Sequence, residues 1–313
     1  MAATATVPVQ GDDAVAFPRR RRRKLGVYGL LVPAAILMGV ALGYPLVRQF
    51  VISFQEYGLR QQFGQPAEWV GLQNYTDLLT DPYVWTVIGR SIAFCLVNAA
   101  VTMLVGVALA VLMTRIGTAA RLTLQVALLL AWGTPVLASM TVWQWLFDSQ
   151  YGVINYVLSH TLGLEQMAGH SWIIEPLSFY FVATVIVVWM SVPFVAFSIY
   201  ASLLQVPEQT MEAAQLDGAS ARQRFWNITI PMIRPVLSVV LLLQVIWDFK
   251  VFTQIYVLQR AGAPTRETNL LGTLIYSYSG DFAKAGALAT IMLVITLALT
   301  GFYIRQMLKE DEL

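Results

Sequence analysis

Two charged side chains interrupt an apolar stretch late in the chain. Asp248 and Lys250 lie within the run from Pro235 to about Leu258. A charge at the centre of a membrane-crossing segment costs about 2.5–3.5 kcal/mol, so such residues are candidates for function. Gln244 lies one helical turn from Asp248, and Trp247 adjoins it. An amide, a carboxylate and an aromatic ring together suit a sugar, which presents hydroxyl groups and a C–H surface.

The residues that could catalyse a reaction or bind a metal are not spaced in this sequence as a catalytic or metal site requires. His160 and His170 lie in one loop without a nearby cysteine, so no metal site is expected. Cys95 is the single cysteine and cannot form an internal disulfide. The sequence contains no Ser/His/Asp set, no carboxylate pair at useful spacing and no G-x4-G-K-[ST] phosphate loop. The chain is therefore not expected to be an enzyme.

The composition places these residues in a membrane protein. Of 313 residues, 57% are apolar and 12% are charged, whereas soluble chains average about 25% charged residues. A soluble domain of this size has no interior large enough for such an apolar excess. The net charge of +2 is too small to indicate a nucleic acid partner. The protein is therefore expected to be embedded in the lipid bilayer.

Six apolar segments are long enough to cross a bilayer as helices, since a span needs about 20 residues. They are 25–47, 91–114, 122–147, 176–207, 235–258 and 285–304. The basic run Arg19–Lys24 precedes 23 uncharged residues, more than the 7–15 of a cleavable signal core. The sequence therefore predicts an all-α integral membrane protein, with a basic tail over 1–24 and a six-helix domain over 25–313.

The basic residues predict the orientation of the spans. With the N-terminus in the cytoplasm, the cytoplasmic pieces hold 13 of the 20 lysines and arginines. Cytoplasmic loops carry such an excess, so both termini are expected inside the cell.

The most informative segment is a cytoplasmic loop over 208–231. Good helix formers cover 208–217, and Gly218 follows where a helix end needs a positive φ. A second short helix is expected from about Ala221 to near Pro231, since proline interrupts the helical hydrogen bonds. Two short helices at a bend form a rigid knob that suits docking into a groove of another protein.

This loop resembles the EAA loop of ABC importer permeases, written E-A-A-x3-G-x9-I-x-L-P. The matching residues are Glu212, Ala213, Ala214, Gly218, Ile228 and Pro231, with Ile230 in place of the usual leucine. Shorter matches surround it in the order typical of carbohydrate permeases: G-L-Q-N-Y at 71–75, W-Q-W-L-F at 143–147, G-V-I-N at 152–155 and A-G-A-P at 261–264. Asn155 is expected to hold an outer turn rather than to contact a ligand.

The resemblance implies the type I importer permease fold in the cell membrane. Such a chain forms half of a pore with a second homologous permease. Two cytoplasmic ABC ATPase subunits bind ATP and Mg²⁺, so no cofactor is expected on this chain, and an extracytoplasmic sugar-binding lipoprotein delivers the cargo. Glu212 would pair with a basic group of the ATPase. The resemblance is strongest to permeases of actinobacterial trehalose importers, which implies a disaccharide such as trehalose.

The resemblance also implies a substrate site. Maltose-type permeases contact sugar through a W-x3-P-aromatic stretch, which here spans 189–194, and through the segment around Asp248. The expected substrate-binding residues are Trp189, Met190, Phe194, Gln244, Trp247 and Asp248. As alternatives, the aromatic residues are packing residues, Asp248 pairs with another helix or with the second permease, and Lys250 extends to the membrane interface.

Two other function classes remain as alternatives. A secondary carrier driven by an ion gradient would need an internal repeat and buried coupling carboxylates, of which only Asp248 is available. A membrane-embedded enzyme would need a catalytic constellation that the sequence lacks.

Overall fold

A computed structural model describes residues 24–311, which form helices joined by short turns. The described chain divides into two units, one up to residue 49 and one from residue 50. Apart from Lys24, the predicted basic tail over 1–24 lies outside the described residues. The first unit contains α1 (Lys24–Met38), a π-helical segment (Gly39–Gly43) and the start of α2 (Tyr44–Ile52).

The second unit contains the remaining elements. They are β1 (Gln55–Glu56), α3 (Leu59–Gln62), β2 (Glu68–Trp69), α4 (Gln73–Thr80), α5 (Pro82–Arg115), α6 (Thr118–Gly133), α7 (Val136–Leu146), α8 (Val153–Tyr156), α9 (Pro176–Leu203), α10 (Glu208–Leu216), α11 (Ala221–Arg224), α12 (Ile230–Phe249), α13 (Thr253–Arg260), α14 (Thr265–Thr268), α15 (Leu271–Ser277) and α16 (Phe282–Asp311). The strands pair antiparallel. Two π-helical segments (Val157–Thr161 and Phe225–Thr229) and a 3₁₀ turn (Glu165–Met167) complete the described chain. The described chain is therefore mostly helical, with one antiparallel pair of two-residue strands.

Among the described residues, five helical stretches are long and apolar enough to cross a bilayer. They are Leu31–Ile52, Pro82–Arg115, Pro176–Leu203, Ala221–Arg260 and Phe282–Arg305. A sixth span results when α6 and α7 are counted together, because the pair also meets the length and hydropathy requirement. The structure therefore gives five or six spans, and six is the number that the sequence predicts.

The third predicted span, 122–147, is not one straight helix. The chain bends by 104° between α6 and α7. Thr134 adopts an extended conformation, with φ −73° and ψ 126°, directly before Pro135. The proline ring clashes with a helical residue in front of it, which drives that residue into the extended region. The prediction of a continuous helix here is wrong because the apolar run conceals this Thr-Pro break.

The core of the second unit forms where α5 packs along α9. Asp81 begins α5 by accepting a hydrogen bond from the backbone N–H of Tyr83, and Pro82 occupies the first helical turn. Gly106 permits a close approach of the two helices, because a Cβ atom there would lie 2.5 Å from the Val195 side chain. Buried apolar residues of α12 join this contact, so α5, α9 and α12 form one packed group.

The second helix of the predicted knob continues beyond Pro231. Helical backbone extends from Ala221 through the π-helical segment into α12, which ends at Phe249. Pro231 lies within this continuous helical path and has no backbone N–H to donate to the preceding turn. The π-helical turn before it shifts the hydrogen-bond register. The predicted end of this helix near Pro231 is therefore wrong, and the loop is joined directly to a membrane helix.

Candidate functional site

The loop between α9 and α12 has a helix end that its sequence explains. Gly218 has φ +80°, as the sequence predicts. Its N–H donates to the carbonyl of Gln215, and the N–H of Ala219 donates to the carbonyl of Ala214. These two bonds form a Schellman motif, which satisfies carbonyl groups left open at the end of α10. Gly218 therefore fixes the sharp turn that follows Glu212–Ala214.

Side chains hold the two arms of this loop together. Ser220 caps α11, since its hydroxyl accepts from the N–H of Gln223 and the Gln223 side chain accepts from the N–H of Ser220. Arg224 then donates from Nη1 to Oε1 of Gln215 across the bend, at 2.8 Å. The loop is thus braced on both sides of Gly218.

The residues of the EAA-like motif lie mostly on the surface of this loop. Glu212, Ala213, Gly218 and Pro231 are exposed, whereas Ala214 and Ile228 are half-buried. Leu216, which sequence reasoning did not select, is 89% exposed at the end of α10. An apolar side chain this exposed beside Glu212 offers a contact for another protein.

A buried polar pair occupies α12 at the level of the predicted substrate site. Nε2 of Gln244 donates to Oδ1 of Asp248 at 2.8 Å, and both side chains are almost fully buried. Gln244 Oε1 and Asp248 Oδ2 have no hydrogen-bond partner among the described residues. Lys250 is exposed just beyond the end of α12. Asp248 and Lys250 therefore do not pair with each other.

The predicted aromatic residues separate into two groups. Phe194 and Trp247 contact each other edge to face, with ring centroids 4.9 Å apart, and Trp247 is 44% exposed. Trp189 instead packs edge-on against Trp143 of α7. Met190 accepts a hydrogen bond from Gln254 at its sulfur. The structure thus joins Phe194 with Trp247 and Gln244 with Asp248, while Trp189 and Met190 face α7 and α13.

Two further buried polar residues were missed by sequence reasoning. Asn98 and Thr102 of α5 are fully buried, and Asn98 Oδ1 and Thr102 Oγ1 have no hydrogen-bond partner among the described residues. Nδ2 of Asn98 donates to the carbonyl of Phe94 and, at 3.4 Å, to the Thr184 hydroxyl. Both residues lie in an apolar run without charged residues. A search of the spans for charged side chains therefore does not find them.

The G-L-Q-N-Y stretch at 71–75, which precedes the N-terminus of α5, has a structural role. Nδ2 of Asn74 donates to the carbonyls of Ser53 and Gln55, and the Tyr75 hydroxyl hydrogen-bonds to the Ser53 hydroxyl at 2.6 Å. Gly71 has φ +59°. The G-L-Q-N-Y stretch therefore closes the loop that carries β1 and β2.

Asn155 has the structural role that its position predicts. Nδ2 donates to the carbonyls of Ser149 and His170, and Oδ1 accepts from Nε1 of Trp172 at 2.6 Å. Nearby, Asp148 accepts from two backbone N–H groups of the turn that follows it, and these bonds lower the pKa of its carboxyl group. The described residues contain no group of three or more His, Cys, Asp or Glu that could hold a metal ion.

Comparison with known proteins identifies the family. Residues 102–310 match the model of the binding-protein-dependent transport system inner membrane component. The chain belongs to this family. It is therefore a permease, a transport component of a membrane rather than an enzyme.

Several relatives of the permease are carbohydrate permeases by name. The diacetylchitobiose uptake system permease protein DasB of Streptomyces coelicolor is 41% identical over 93% of this chain and 89% of its own length. The trehalose/maltose transport system permease protein MalF of Thermococcus litoralis is 30% identical, over 91% and 94% of the two chains. The sulfoquinovosyl glycerol transport system permease protein SmoG of Agrobacterium fabrum is 30% identical, over 90% of each chain.

A solved structure has the same fold. A chain of a bacterial ABC transporter that imports the polysaccharide alginate superimposes on the permease with a TM-score of 0.77 at 20% identity. The alignment covers 91% of the permease and 95% of that chain. The fold of the permease is therefore that of an ABC importer permease, as the EAA-like loop predicts.

Proposed function

We propose that this permease is one of two pore-forming subunits of an ATP-driven importer for a carbohydrate, most suitably a disaccharide. The similarity to DasB carries the proposal, because 41% identity extends over 93% of the chain. The names of DasB and of the Thermococcus relative refer to diacetylchitobiose and to trehalose and maltose. Trehalose is therefore one candidate cargo and diacetylchitobiose another.

The proposed assembly contains four kinds of chain. A second homologous permease completes the pore, two cytoplasmic ATPase subunits bind ATP and Mg²⁺, and an extracytoplasmic binding protein delivers the sugar. Both termini and the braced loop over 208–231 lie on the cytoplasmic side. The excess of lysine and arginine in these pieces supports that orientation.

Within the assembly, the exposed motif couples the permease to an ATPase subunit. Glu212 pairs with a basic group of the ATPase, and Ala213, Ala214, Gly218, Ile228 and Pro231 shape the docking surface. Two observations support this role. The loop is braced internally, and its helical path continues from Ala221 into α12. Motion of the ATPase therefore reaches a membrane helix without an intervening flexible segment.

The sugar passes along the α9 and α12 faces in this proposal. Phe194 and Trp247 provide an aromatic surface, and the exposure of Trp247 supports contact with cargo. The unpartnered oxygens of Gln244 and Asp248 provide hydrogen-bond acceptors. Trp189 and Met190 remain part of the proposed site and shape its wall from α9.

Reconstitution tests the proposed function. Proteoliposomes that contain the permease, its partner permease and the ATPases, with binding protein outside, should take up labelled diacetylchitobiose or trehalose only when ATP is supplied on the ATPase side. Competition between the two unlabelled sugars ranks the cargo. Uptake by the permease alone, unaffected by ATP, would contradict the proposal and favour a secondary carrier.

A substitution in α10 tests the coupling role. Glu212→Ala should lower sugar uptake per ATP hydrolysed by about tenfold, the equivalent of ~1.4 kcal/mol, while the complex stays assembled. Gln209→Ala, at an exposed position on the same helix, is the matched control. Equal uptake per ATP in the two variants would remove Glu212 from the coupling surface.

A further inference from the structure

A groove of about 560 Å³ opens behind the EAA-like loop, where α5 and α9 end. This volume lies within the ~300–1,000 Å³ typical of sites for small molecules. Its walls come from the last turn of α5, the α9–α10 connection, α10 and the start of the helical path into α12. The lining includes Val111, Arg115, Leu204, Glu208, Met211, Arg224 and Phe225.

The lining of this groove divides into an apolar part and a basic part. Aliphatic, methionine and phenylalanine side chains form most of the wall, and Leu204 is 63% exposed at the end of α9. Arg115 and Arg224 supply two positive charges, against one negative charge from Glu208. A ligand with an apolar chain and an anionic head would satisfy both parts.

Both arginines have donors available for an anion. Arg224 uses Nη1 for its bond to Gln215, which leaves most of the five N–H donors of a guanidinium group. Arg115 makes no hydrogen bond or ion pair to the described residues, and it is exposed in the last turn of α5. A phosphate oxygen is a suitable acceptor for such groups.

The depth of the groove in the membrane follows from the length of α5. Its 34 residues extend about 51 Å at ~1.5 Å per residue, well beyond the ~30 Å of the hydrocarbon core. The charge-free run 91–114 of α5 ends directly before Arg115, so the end that carries Arg115 lies near the lipid headgroups. Basic pockets between membrane helices on the cytoplasmic side characteristically bind anionic lipid headgroups.

We propose that this groove binds an anionic phospholipid of the cytoplasmic leaflet, with its phosphate at Arg115 and Arg224 and an acyl chain along Val111, Leu204 and Phe225. The assignment of the leaflet rests on the orientation in the proposed function. Because α10 forms one wall and α5 another, the lipid joins the coupling loop to the membrane core. It therefore affects how motion of the loop is transmitted.

Photolabelling of the assembled importer tests this site. The complex in nanodiscs receives a photoactivatable phosphatidylglycerol, and the labelled peptides are mapped. Label should appear on the peptides that contain Met211 or Phe225. The double variant Arg115→Gln/Arg224→Gln should bind the lipid about thirtyfold more weakly, which corresponds to about 1 kcal/mol for each arginine near the membrane surface.

A neighbouring arginine provides the matched control. Arg222 lies two residues from Arg224, is exposed and does not line the groove. Arg222→Gln removes one charge from the same loop and should leave the labelling of the groove peptides unchanged. Arg224→Lys keeps the charge and should retain most of the binding, which separates lost attraction from misfolding.

Two results would overturn the proposal. The first is an absence of label on the groove peptides, including the case in which a segment of the partner ATPase covers the groove. The second is an equal loss of label in Arg222→Gln and in the double variant, which would indicate nonspecific attraction. Sugar uptake measured on the wild-type complex in proteoliposomes reports on the proposed function independently, since the labelling needs no transport.

Discussion

Asn155 uses its whole side-chain amide to join two segments of the connection between α7 and α9. It donates to the carbonyls of Ser149 and His170 and accepts from the Trp172 indole. Asn155→Ala would leave these groups without partners in a buried position, at a cost of about 1–3 kcal/mol. We expect a lower midpoint of thermal unfolding for the purified permease complex. Gln150→Ala, whose exposed side chain forms no hydrogen bond with the described residues, should leave the midpoint unchanged, and equal effects would contradict the proposed support role.

Trp247 differs from the polar pair beside it in accessibility. Trp247 is 44% exposed against Phe194, whereas Gln244 and Asp248 are buried. If the exposed ring contacts sugar, Trp247→Ala should raise the apparent KM for uptake by about tenfold, the equivalent of ~1.4 kcal/mol, with the complex intact. Trp132→Ala removes a similarly exposed tryptophan from α6 and should not change KM. An unchanged KM in Trp247→Ala would place the pathway elsewhere.

The helices show which features of this chain its sequence could predict. Long charge-free runs locate the spans, because bilayer thickness fixes their length. The bend at Thr134 and the continuation past Pro231 were not predicted, because the effect of a proline depends on whether the backbone before it is extended or helical. The hydropathy of the sequence does not reveal the backbone conformation before a proline.

The contacts between helices could not be predicted from the sequence patterns either. Gly106 carries no charge or motif, yet a Cβ atom at this position would meet the Val195 side chain of α9. Gly89 on the same helix has open space around its Cα. The two glycines cannot be distinguished until the neighbour of α5 is known.

These two glycines give a matched pair of substitutions. Gly89→Ala should stabilise α5 by about 1 kcal/mol, because alanine is the better helix former. Gly106→Ala should destabilise the permease by about 1–3 kcal/mol, the usual cost of overpacking a core. Thermal unfolding of the purified complex compares the variants. If Gly106→Ala were as stable as Gly89→Ala, the close packing of α5 on α9 would be refuted.

In the proposed function, the assembled permease transmits motion from the loop over 208–231 to the membrane helices, and that property is least visible in one sequence. The EAA-like pattern indicates a docking loop, and the family match confirms the kind of protein. The residues that complete the pore belong to a second chain. For this reason Trp247 and Asp248 could be proposed from the sequence, but the cargo contacts could not be specified.

Gly218 gives the sharpest test of this transmission. Gly218 has φ +80°, and no neighbouring atom would lie close to an added Cβ. A substitution there therefore causes backbone strain rather than a steric clash. Asparagine tolerates this conformation, whereas a β-branched residue costs about 1–2 kcal/mol or more. We therefore expect Gly218→Asn to retain most sugar uptake per ATP hydrolysed, and Gly218→Val to lose it while the complex stays in the membrane. Equal coupling in the two variants would show that the left-handed turn is not needed to hold α10 against the ATPase.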